Sequence, residues 1–118
     1  MLDRTKIQLN IEYDLKAGEA VGSHVNRQIT EQLIFGAAQL MYPNGMVRAE
    51  SQIFSEIQAG LNAGTMDIEL SSHAIEFLYD LFLSEEASKR VRFKPEVALW
   101  FCKWVGYLEA LKIQNDAK

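Results

Sequence analysis

Residues 95–114 read PEVALWFCKWVGYLEALKIQ and hold both tryptophans, the single cysteine and one of the four tyrosines of the 118-residue chain. Val97, Phe101, Trp104, Leu108 and Leu111 step by four, three, four and three, the spacing of one face of an α-helix. Pro95 suits the first turn, where a missing N–H costs nothing, and Glu96 suits the positive end of the helix dipole. Ala98, Cys102 and Val105 run beside this seam, so Cys102 is expected as a buried, unreactive thiol. Trp100 and Tyr107 fall well around the helix from the seam. An aromatic ring there has to be covered by something else, and burying one ring is worth about 2–3 kcal/mol. Trp100, Lys103 and Tyr107 are therefore candidate contact residues.

At the other end of the chain, residues 6–15 alternate without a break. Ile7, Leu9, Ile11, Tyr13 and Leu15 point one way, and Lys6, Gln8, Asn10, Glu12 and Asp14 the other, which predicts a half-buried strand. Its backbone groups need a neighbour. Residues Thr65–Leu70 supply a short strand with Met66, Ile68 and Leu70 on one side, and Ala20–Ile29 is a poorer candidate through a hairpin at residues 16–19. Any edge left uncovered is a place for another copy or another protein to pair.

Helical spacing fills much of the rest. Ile29, Leu33, Ala37 and Leu40 predict a helix over 26–41, stopped by Pro43-Asn44-Gly45. Ile53, Ile57 and Leu61 predict a second over 47–62, ended by Gly64. Ser71 or Ser72 caps a third over 73–83, apolar around much of its circumference through Ile75, Phe77, Leu78, Tyr79, Leu81 and Phe82. Residues 84–94 read as a polar linker. The fold class expected is α+β and predominantly helical, with about four helices packed with a small sheet led by the strand at 6–15, in a single compact domain over residues 1–118.

Hydrophobic residues at 48% and charged ones at 24% are ordinary for a globular protein and too apolar for a disordered one. A single cysteine forms no internal disulfide, the start MLDRTKIQ lacks the apolar run of a signal peptide, and no stretch approaches a membrane span; a cytoplasmic protein with no membrane partner is expected. The net charge of −4 is unevenly spread: residues 1–45 carry four basic and five acidic side chains, 46–86 one and eight, and 87–118 seven and three. Either the acidic middle packs on the basic end, or each offers a patch to a partner.

Chemical motifs are sparse. His24 lies beside Ser23 in a loop-like stretch, but neighbours in one loop do not make a catalytic pair. Glu69, His73 and Glu76 have helical spacing for a metal, yet Glu69 precedes the helix. The seven glycines match neither the dinucleotide fingerprint nor the P-loop. No catalytic residue, metal ligand or cofactor is assigned. The sharpest chemical feature is Lys89-Arg90-Val91-Arg92-Phe93-Lys94, four cations with an interleaved ring suited to a phosphate backbone and a base, although the sequence pI near 5.1 is unlike most nucleic-acid binders.

The reading these features favour is a non-enzymatic protein–protein interaction module, a homodimer or higher homo-oligomer, acting as an accessory, adaptor or inhibitor protein of the size and style common among phage and mobile-element proteins. Its candidate interaction residues are Trp100, Lys103 and Tyr107 with Lys89, Arg90, Arg92 and Lys94. The competing readings are a nucleic-acid-associated regulator using 89–94 and a small ligand-binding protein or enzyme using His73 and nearby carboxylates.

Overall fold

Strand β1 (Arg4–Gln8) pairs antiparallel with β2 (Asp67–Ser71), Ile7 opposite Ile68 and Lys6 opposite Glu69. The two-stranded sheet lies among helices α1 (Ser23–Met41), α2 (Arg48–Asn62), α3 (Ser72–Leu83), the short α4 (Glu85–Arg90) and α5 (Ala98–Asp116), the last preceded by a 3-10 turn at Pro95–Val97. The computed structural model describes residues 4–13 and 23–116, without the side chains of residues 23 and 24. The chain is thus α+β and predominantly helical, with four long helices and a small sheet led by the N-terminal strand.

The alternation of the first strand decides its buried face. Ile7, Leu9 and Tyr13 are buried with Ile68 and Leu70, while Arg4, Lys6, Gln8, Asp67 and Glu69 are exposed. The paired strand is shorter than the alternating stretch, because β2 is only five residues long and the Leu9 N–H, donating to the Met66 carbonyl at 2.8 Å, is the last rung. Beyond it the apolar positions still point inward without a ladder. The Tyr13 hydroxyl lies 2.5 Å from the Thr30 hydroxyl of α1, and burial pushes the phenol far above its ordinary value despite that hydrogen bond. Residues 14 and 15 of the expected strand lie outside the described residues. The hairpin weighed for Ala20–Ile29 does not form, since residues 23–29 belong to α1.

Local signals set the remaining ends. The Gly45 N–H donates to the Tyr42 carbonyl at 3.0 Å, and Gly45 takes a φ of +94°, which closes the turn after α1. Glu50 accepts the Val47 N–H at 2.9 Å at the start of α2. Ser71 caps α3 and Ser84 caps α4, accepting from Ala74 at 3.4 Å and from Ala87 at 3.0 Å. Residues 85–90 are therefore helical rather than a linker: Glu85 and Glu86 sit at the positive end of the α4 dipole, Lys89 and Arg90 at the negative end, and Ala87 is buried.

Two features lock the layers. A Cβ at Gly60 on α2 would come 2.9 Å from Ile68 Cγ2, so only glycine allows α2 to lie this close to β2. Arg27, 4% exposed, donates through Nε to the Thr65 carbonyl at 2.7 Å, through a second nitrogen to the Leu61 carbonyl, and to Glu31 at 3.0 Å. It ties the last turn of α2 and the connection into β2 to α1. No helix of the described residues is long and apolar enough to cross a membrane.

Removal of Arg27 takes its donors from the Leu61 and Thr65 carbonyls and leaves Glu31 without its cation, so Arg27→Met should lower unfolding free energy by about 2 kcal/mol in urea titrations. Glu31→Gln, at a carboxylate that still meets water, should cost under about 1 kcal/mol.

Candidate functional site

Helix α5 has two apolar faces. On the inner face Trp104 and Leu108 are fully buried, whereas Val97, Phe101 and Leu111 of the expected seam are half-buried. The Trp104 ring meets Phe82 edge-on at 5.9 Å and stacks on Tyr107 at 5.7 Å. Phe101 continues the row to Phe93, 4.9 Å away. On the outer face lie Leu99, 52% exposed, and Ile113, 70% exposed, with Cys102, Gly106 and Ala110 between them and also exposed. These five residues step by three, four, four and three along one side of the helix.

Cys102 is therefore corrected from a buried thiol to an exposed one. Its neighbours in sequence, Phe101, Trp104 and Val105, face inward or sideways, and position 102 is turned away from Trp104. The outer stripe has the same helical spacing as the seam, and that spacing was its signal in the sequence. It was masked because three of its five members are small.

The sequence-derived contact residues do not form one free patch. Tyr107 accepts the Gln8 N–H at 2.9 Å and so closes part of the outer edge of β1. Burial, against the opposing hydrogen bond from Gln8 and with the support of Asp67, raises its phenol above the ordinary value. Trp100 is half-buried and packs against the core, and Lys103 is half-buried on the flank.

In the basic segment Arg90 pairs with Glu86 at 3.1 Å and reaches the Met41 carbonyl at 3.5 Å, at the end of α1. Arg92 bonds the Lys89 carbonyl at 3.3 Å. Lys89, Arg92 and Lys94 are exposed, but Phe93 turns inward: a Cβ at Gly36 of α1 would lie 2.9 Å from its ring. The acidic middle takes partners from both ends of the chain: Arg4 lies 3.9 Å from both Glu56 and Glu69, and Arg90 pairs with Glu86.

His73 is exposed at the start of α3, and the His24 side chain lies outside the described residues. Among the described residues no group of three or more His, Cys, Asp or Glu side chains converges as metal ligands would. The most structured carboxylate is Glu56, which accepts the Ser71 N–H at 2.7 Å and the Ser71 hydroxyl at 2.8 Å. Partial burial raises its pKa, but the two Ser71 hydrogen bonds, Arg4 and His73 outweigh that and hold it below the usual carboxylate range. This anchors the junction of β2 and α3 and offers no proton near neutrality.

No family model, curated protein or solved structure matches the chain.

Because the folded pKa of Glu56 lies below its unfolded value, the unfolded chain binds the extra proton in acid. The stabilisation is present above the unfolded carboxylate range and is lost as pH falls through the folded value. Glu56→Gln, at a carboxylate partly open to water, should cost under about 1 kcal/mol at pH 7 and less near pH 3. Urea titrations at the two pH values test this; an equal cost at both would contradict the assignment.

Proposed function

We propose that the protein is a non-enzymatic interaction module that assembles as a homo-oligomer through the outer face of α5. The observation that carries this reading is the exposed stripe Leu99, Cys102, Gly106, Ala110 and Ile113. A helix exposing apolar residues opposite its core face leaves a surface that another helix can cover. Gly106 adds to this. A glycine in a helix interior costs about 1 kcal/mol relative to alanine, and no atom lies within 4 Å of the place its Cβ would occupy. Small residues at 102, 106 and 110, bracketed by leucine and isoleucine, allow two helix backbones to approach closely. The pattern is also symmetric about Gly106, with Cys102 and Ala110 four residues away and Leu99 and Ile113 seven. The same face on a second copy is therefore a fitting occupant.

The strand edge is the weaker route to assembly. It is five residues long, carries Arg4 and Lys6, and has Tyr107 at Gln8, the features by which natural sheets discourage edge pairing. The nucleic-acid reading retains the exposed Lys89, Arg92 and Lys94 but loses the stacking ring, because Phe93 is engaged with Gly36 and Phe101. An accessory, adaptor or inhibitor role is the reading that such a surface favours.

Sedimentation velocity over a concentration series tests the proposal. The wild-type chain should be a dimer or larger by about 50 µM, and Ile113→Glu, at an exposed position, should be a folded monomer. A wild-type monomer at several times that concentration would refute it.

A further inference from the structure

We infer that the groove between α2 and α3 is a second docking surface, and that its occupant is a basic amphipathic helix of a partner protein. This goes beyond self-association through α5 and uses a different part of the molecule. The floor is apolar. Tyr42, at the end of α1, stacks on Phe77 of α3 at 5.8 Å with the rings 8° from parallel, and both are half-buried. Ile53 of α2, also half-buried, lines a depression of about 400 Å³ that runs to His73 at the start of α3. Val47, 65% exposed, stands at the first turn of α2.

The rim is acidic. Glu50 stands one helical turn before Ile53 on α2 and Asp80 one turn after Phe77 on α3; burial raises the Tyr42 phenol first, and these two negative charges raise it further. Glu76 follows His73 on the exposed side of α3. Among the described residues Glu50, Glu76 and Asp80 make no salt bridge, whereas Glu56, Glu69 and Glu86 each have an arginine within 4 Å. Residues 46–86 carry eight acidic side chains against one arginine, so the negative potential over this groove belongs to the whole segment.

An apolar floor selects an apolar face, and an acidic rim selects lysine or arginine on either side of it; together these describe a basic amphipathic helix. From His73 to Asp80 α3 runs about 10 Å at 1.5 Å per residue, the length of about two turns of such a helix. The apolar contact supplies affinity, and the rim supplies orientation and a fast, salt-sensitive encounter.

The test uses isotope-labelled full-length protein carrying Ile113→Glu, so that its outcome does not depend on assembly through α5. Three synthetic probes are compared: a 14-residue leucine–lysine amphipathic helix, its leucine–glutamate counterpart, and a lysine peptide of equal charge without the leucines. The leucine–lysine helix should shift amide resonances of residues 42–54 and 73–80 most, and should bind at least about tenfold more tightly than either other probe. Glu76→Lys with Asp80→Lys, both at exposed positions, should weaken it about tenfold while the protein stays folded. Equal binding of the lysine peptide, shifts spread evenly over the acidic surface, or no shifts would overturn the proposal. So would loss of wild-type self-association in the Glu76→Lys, Asp80→Lys variant, which would make a second copy the occupant.

Discussion

The burial of Trp104 is the contact on which the arrangement of the molecule's surfaces depends. Its ring is shut between Phe82 of α3 and Tyr107 of its own helix, with no exposed area. A buried indole of this size dominates the energetics of the element that carries it. With Trp104 inward, the 3.6-residue period leaves little choice for the rest of α5. Leu108, one turn on, must also be buried, Tyr107 is brought to the edge of β1, and Phe101 to Phe93 and Phe82. The same rotation sends Leu99, Cys102, Gly106, Ala110 and Ile113 outward. The exposed stripe is thus a geometric consequence of the core contact.

Arg27 plays the corresponding part for the other half of the fold. It stands on α1 but spends its donors on the end of α2 and the connection into β2, so that α1, α2 and the sheet share one buried cation. Glu31 neutralises it from one helical turn away. Arg4 does similar work at the surface, between Glu56 of α2 and Glu69 of β2. The acidic middle of the chain is therefore balanced in part by the N-terminal third. The C-terminal basic segment adds the Arg90–Glu86 pair, which lies within α4.

Patterns of period two and of three and four residues carried most of the fold. The alternation from Lys6 and the stripes through Ile29, Ile53, Ile75 and Trp104 place β1 and the four long helices because each reports which side meets the core. What was not legible lacked such a pattern. Residues 85–90 hold a single buried apolar residue, so α4 had no period to show; its evidence is a serine cap with acids before bases. The orientation of Cys102 depends on how two apolar stripes of one helix divide between core and solvent, which spacing alone leaves undecided. The role of Arg27 depends on carbonyls 34 and 38 residues away. Of the surface residues expected to act, Tyr107 proved to be committed to the strand, because its hydroxyl satisfies a backbone N–H that the short ladder leaves over.

Cys102 lies on the outer stripe and is the chain's single thiol, so it reports on that face in the unmodified protein. The most direct measurement is the rate of its reaction with a thiol reagent such as dithionitrobenzoate, followed as the protein is concentrated from about 1 to about 200 µM. If copies meet through the outer face of α5, the rate constant per thiol falls as the assembly forms. A rate constant that stays the same across the series, while the protein assembles or while it remains monomeric, would contradict the account.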